Sequence, residues 1–87
     1  MLSDGGGLIL LENLKSAKDR NAKTIYAEVV GYGQTCDAYH ILRPTETGVG
    51  LIKAIQNALV EANLVPEQID AFNCHATSTP KGDLSEA

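Results

Sequence analysis

The sequence has no tryptophan, one phenylalanine and three tyrosines in 87 residues. A core cannot be built around aromatic anchors, so it must rest on Leu, Ile, Val and Ala. Basic residues are few: seven Lys and Arg face eleven Asp and Glu, for a net charge of −4. That balance argues against a nucleic-acid binder, which needs a basic face to meet phosphates. No apolar run approaches the ~20 residues of a membrane-spanning helix. The N-terminus, Met1-Leu2-Ser3-Asp4-Gly5-Gly6-Gly7, has neither a basic segment followed by an apolar one nor an Arg-rich amphipathic pattern, so no secretory or transit signal is visible. Only two cysteines occur, Cys36 and Cys74, far apart and without a second pair. Neither a zinc knuckle nor a disulfide framework is suggested, and two reduced thiols in a cytosolic-type compartment are expected.

What is present is ordinary globular composition, 44% hydrophobic and 21% charged. A chain this short buries only ~60–65% of its unfolded surface and is marginal without a partner. After the breaker Gly5-Gly6-Gly7 comes Leu8-Ile9-Leu10-Leu11, a continuous apolar run of strand length. Such a run suits a strand covered on both faces. The glycines precede a strand rather than join one to a helix, so they read as a tight turn and not a phosphate cradle. Glu12 to Asn21 predicts a short amphipathic helix on Leu14 and Ala17.

Lys23 to Val30 predicts a second strand, with Ile25, Ala27 and Val29 on one side and Tyr26, Glu28 and Val30 on the other. Gly31-Tyr32-Gly33 ends it, and Gln34 to Pro44 has no period and reads as loop. Thr45 to Leu64 carries the strongest helical pattern. Gly48, Leu51, Ile52, Ile55, Ala58, Leu59 and Ala62 share one face. Thr45 or Thr47 is the expected cap. Pro66 stops the helix and starts one turn through Gln68. Ile69 to Cys74 predicts a third strand with Cys74 as a small buried residue, and Leu84 to Ala87 the first turn of another helix. The order is β-α-β-loop-α-β-(α), an α/β alternation. Its apolar strands want helices on both sides, which 87 residues cannot supply. The expectation is a single partial domain over residues 1–87, a fragment of a larger layered sheet.

The least ordinary segment is Asn73 to Asp83. Ligands of open α/β folds bind at the carboxyl ends of strands, and His75 stands at such an end. If the chain stays extended, His75, Thr77 and Thr79 project to one side. One imidazole and two hydroxyls then line a wall able to donate to, or accept from, a substrate carbonyl or amide. The plainer alternative is a strand-to-helix loop whose threonines cap backbone groups while His75 is solvated.

The run His75-Ala76-Thr77-Ser78-Thr79-Pro80-Lys81-Gly82-Asp83-Leu84-Ser85-Glu86 closely resembles the histidine motif of the β-ketoacyl-[acyl-carrier-protein] synthases. Ser3-Asp4-Gly5-Gly6-Gly7-Leu8-Ile9-Leu10-Leu11-Glu12, Ile25 to Gly33, and Asp37-Ala38-Tyr39-His40 resemble further stretches of that family, in order and correctly spaced. The Thr-Ser-Thr-Pro wording is closer to discrete bacterial-type or mitochondrial synthases than to polyketide ketosynthases. The resemblance implies a thiolase-like α/β/α fold and a decarboxylative condensation of malonyl and acyl thioesters. No cofactor is expected, because the acyl carrier protein brings the substrates on its phosphopantetheine. It further implies acyl carrier protein as partner, a homodimeric parent, no nucleic acid or membrane span, and a cytoplasmic or mitochondrial location.

By the motif match, His75 is one of two histidines that stabilise the malonyl enolate. Thr77 and Thr79 match threonines that hydrogen-bond the pantetheine arm. Asp83 and Glu86 match acids that support the site, and both also suit the start of a helix. His40 matches a loop near the pantetheine channel; a plain surface histidine is the alternative. Relatives often carry Thr and Ser shortly after that histidine, where Leu42 and Arg43 stand here. Asp4 and Gly6 replace the usual Glu and Ala. The family's nucleophilic cysteine, second histidine and lysine do not appear. Cys36 reads as a loop thiol, since neither cysteine has an activating context.

Overall fold

The computed structural model describes residues 4–87; Ser3, the first residue of the glycine-rich match, lies outside them. Three α-helices and one 3-10 turn form: α1 (Leu14–Asp19), α2 (Val49–Ala62), the turn Pro66–Gln68, and α3 (Pro80–Glu86).

The first helix stands where the sequence puts it. Asn13 caps it, its Oδ1 accepting from the amides of Lys15 at 3.0 Å and Ser16 at 3.4 Å. Asn21 closes it in the left-handed region at φ 55°, and the Ala22 amide returns to the Ala17 carbonyl at 2.9 Å. A forked ion pair spans the helix: the Arg20 Nε and Nη2 donate to Glu12 at 2.8 and 2.6 Å. That hydrogen bond from the guanidinium holds the exposed Glu12 carboxyl below its ordinary range.

The second helix is shorter than its pattern and starts differently. Neither Thr45 nor Thr47 caps it. Gly48 occupies that position at φ 59° and contributes no side-chain bond. Gly48 is also buried, and a Cβ there would meet the Ser85 carbonyl 2.6 Å away. Only glycine satisfies both constraints. The helix ends at Asn63, left-handed at φ 55°, with the Leu64 amide on the Leu59 carbonyl at 2.9 Å. Pro66 then opens the expected single turn, and the Gln68 side chain accepts from the Val65 amide at 2.9 Å.

The third helix corrects the sequence reading. It begins at Pro80 rather than Leu84, because Thr79 caps it and Pro80 fills its first position. Proline there forfeits only an amide that has no helical partner anyway.

Among the described residues no strand forms over Leu8–Leu11, 23–30 or 69–74. Those segments lack ladder partners, and a strand without one leaves its amides and carbonyls unpaired. Leu8 and Leu10 are 103% and 90% exposed, and Tyr26 is 96% exposed. Cys74, expected to be buried, is exposed for the same reason. Ala17 is the one buried hydrophobic residue among those described. The Cα radius of gyration is 16.7 Å, against roughly 12 Å for a compact chain of this length.

What packing exists gathers on α2. Gly31 and Gly33 lie against its Ala54, Ala58 and Ala62, so closely that a Cβ on either would run into the Ala58 or Ala54 carbonyl. The Glu61 carboxylate accepts from the Tyr32 amide at 2.6 Å. The Thr35 hydroxyl donates to the Gly50 carbonyl at 2.7 Å, and Ser85 Oγ to the Thr45 carbonyl at 3.1 Å. Among the described residues, no helix is long and apolar enough to cross a membrane.

Candidate functional site

The segment that carries His75 is not extended. Ala76 and Ser78 sit in the left-handed region at φ 42° and 62°, a conformation costing an L-residue roughly 1–2 kcal/mol. The simple alternation that would aim His75, Thr77 and Thr79 to one side is therefore not the geometry. The kinks instead bring two hydroxyls together, with Thr77 Oγ1 and Thr79 Oγ1 3.3 Å apart. Thr79 Oγ1 also accepts from the Gly82 amide at 3.2 Å, capping α3. The plainer sequence reading, threonines as caps, thus holds for Thr79.

Glu86 reaches back along α3 and its Oε2 accepts from the Ala76 amide at 2.9 Å. It thereby ties down the residue after His75 at its left-handed turn. Asp83 lies in the first turn of α3, where a negative charge suits the exposed amides. Lys81 and Glu46 approach to 3.5 Å across the surface, a pairing of small energetic consequence.

His75 lines a cleft of about 290 Å³ between the start of α2 and α3, with Asp37, Pro44, Leu51, Gly82 and Glu86 among its walls. Thr77 and Thr79 do not line it. They adjoin it through Gly82, whose missing Cβ would strike Thr79 Oγ1 and stand 3.6 Å from Thr77 Oγ1. His40 lies in a different, shallower hollow of about 610 Å³ formed by the loop around Thr35, Cys36, Tyr39 and Arg43. Its Nδ1 accepts from the Leu42 amide at 3.0 Å, so the neutral ring carries its proton on Nε2.

The structure thus brings together His75, Glu86 and Gly82, pairs Thr77 with Thr79, and leaves His40 apart. Asp37 belongs to both hollows. The sequence reading used Asp37 only as part of a matching stretch. Its signal is an acid within a patternless loop, where Asp side chains bond nearby backbone amides. Among the described residues, no group of three or more His, Cys, Asp or Glu gathers as a metal site would require.

Such a histidine turn, tied to a following helix by a carboxylate, sits inside a known sequence family. Residues 26–87 match the family model described as beta-ketoacyl synthase, C-terminal domain. The chain belongs to the β-ketoacyl synthase family. Over its whole length it is 51% identical to the mitochondrial 3-oxoacyl-[acyl-carrier-protein] synthase of Arabidopsis thaliana, covering 19% of that protein. Over 99% of its length it is 48% identical to 3-oxoacyl-[acyl-carrier-protein] synthase 2 of Synechocystis sp., covering 20% of it. A Staphylococcus aureus 3-oxoacyl-[acyl-carrier-protein] synthase 2 is 46% identical, again over 99% of the chain and 21% of the relative. The chain therefore spans about a fifth of the length of these relatives. Membership supports an α/β fold.

Proposed function

We propose that this chain supplies part of the condensing centre of a 3-oxoacyl-[acyl-carrier-protein] synthase, with His75 as a donor to the malonyl thioester oxygen. In that reaction the malonyl C–C bond to the carboxylate breaks and CO₂ leaves. The electron pair becomes an enolate, and its carbon attacks an acyl thioester held on a cysteine, releasing the thiolate. A neutral imidazole with its proton on the nitrogen facing the thioester stabilises the oxyanion as charge develops. Thr77 and Thr79 then meet the pantetheine arm beside Gly82, and Glu86 and Asp83 hold the turn and helix beneath them. His40 contributes from the neighbouring loop.

The substrates ride on acyl carrier protein, and no cofactor of the chain's own is required. The nucleophilic cysteine is neither Cys36 nor Cys74, which are exposed thiols without an activating context. The second histidine and the lysine are likewise not among these residues. The finer architecture in this reading is β-α-β-loop-α-β-(α), a partial domain of a thiolase-like layered fold in a homodimer. Its location is the cytoplasm or the mitochondrion.

The observation that carries the proposal is 51% identity, sustained over all 87 residues, to a synthase of that activity. The scant burial in the chain favours a second reading, a non-catalytic module that folds only against another polypeptide. One experiment separates them. The 87 residues replace the corresponding stretch of the Arabidopsis thaliana synthase, and malonyl-carrier decarboxylation and condensation are measured. The chimera is expected to be active, and His75→Ala to lower both rates about 10²- to 10³-fold, the scale of a lost oxyanion donor. A folded chimera without activity supports the non-catalytic module. Activity untouched by His75→Ala removes His75 from the chemistry.

A further inference from the structure

Asp37 is the one side chain shared by the two hollows. Its two carboxylate oxygens have different tasks. Oδ2 accepts from the Thr45 amide at 3.0 Å, closing the loop that carries His40. Oδ1 rests against Gly50 in the first turn of α2, in the space that a Cβ would fill. Thr35, two residues earlier, donates to the carbonyl of that same Gly50. Loop and helix are therefore joined at one residue from both sides. Pro44, directly before the clasped amide, is a wall of the His75 cleft. Displacement of the clasp would move both hollows together.

We infer that Asp37 is a positioning residue: seated in the niche left by Gly50, it holds the His40 loop against α2 and sets the wall between the His40 hollow and the His75 cleft. It touches no reacting atom in this role. Its carboxylate acts as a hydrogen-bond acceptor of the right length, and its charge is incidental. The side chain that Gly50 lacks is as much a part of the device as the one Asp37 has.

The test uses the chimeric synthase, so its kinetic part rests on the function proposed above, while its exchange part does not. Asp37→Ala should speed hydrogen exchange of the Thr45 amide about tenfold or more, since a clasped amide exchanges only on local opening. It should also raise KM for the malonyl carrier substrate with little change in kcat, the signature of lost uniform binding. Asp37→Asn keeps an acceptor oxygen and should keep the slow exchange. Gly50→Ala is the second variant. Its Cβ would take the space that Asp37 Oδ1 occupies, so this protein should lose the protection at Thr45 with the Asp37 side chain itself intact. Unchanged exchange in Asp37→Ala would overturn the inference. So would an Asn variant as damaged as the Ala variant, or a fall in kcat at constant KM, since either makes the charge or the chemistry the point. If His75→Ala left activity intact, the proposed function would fall, and the exchange of Thr45 would still decide the role of Asp37.

Discussion

Thr79 shows how one hydroxyl joins a turn to a helix. Its oxygen caps α3 through the Gly82 amide and meets the Thr77 hydroxyl. Thr79→Val keeps the shape and removes the acceptor. It should weaken α3 by ~1 kcal/mol, the usual cost of a lost cap. Thr79→Ser should retain the helix. Amide exchange over residues 80–86 reads the difference, and equal protection in both variants would show that Pro80 alone sets the start. The same residue shows what a linear pattern conveys. The Thr-x-x-Gly spacing and the proline were visible, yet the helix was expected to begin at Leu84. The left-handed turns at Ala76 and Ser78 had no sequence signal at all, because alanine and serine disfavour that region. Only a carboxylate arriving from Glu86 makes the turn at Ala76 intelligible.

At the scale of elements, helices and strands fared differently for a physical reason. A helix satisfies its backbone within itself, so α1 follows from local spacing and its Asn13 cap, and α2 from local spacing alone. A strand satisfies its backbone only through neighbours, and the predicted strands have none among the described residues. The helix α2 is held by small residues that let Gly31 and Gly33 approach and by Glu61 on the Tyr32 amide. The helix α1 depends on its cap and on the Glu12–Arg20 fork. Arg20 depresses the Glu12 pKa, so the pair's contribution is full above the unfolded carboxylate value. It is lost as pH falls through the lower folded value. Both groups lie at the surface, with side chains 58% (Arg20) and 31% (Glu12) exposed, so salt should screen the pair. The α1 NMR shifts should therefore move toward coil on acidification below about pH 4, and less so at high salt. Shifts that ignore pH in that window would mean that Asn13 alone secures the helix.

For the whole molecule the decisive fact is the exposed apolar surface of Leu8–Leu11, Ile25 to Val30 and Phe72. Such surface on an isolated chain seeks cover, and open strand-like segments pair with one another. The isolated chain should self-associate at micromolar concentration and show no sharp cooperative melt as a dilute monomer. Sedimentation velocity with parallel thermal unfolding checks this. A monodisperse monomer with a steep transition would show that the chain is its own folding unit.

The family and the places of α1 and α2 were legible in the sequence, because motif wording and helical period are local properties. The tertiary structure alone decided that His75 shares a cleft with Asp37 and Glu86, that Thr77 and Thr79 meet beside Gly82, and that His40 stands apart. Those relations depend on left-handed turns and on side chains returning to distant amides. Their partners lie eight to ten residues away, beyond the reach of any periodic pattern.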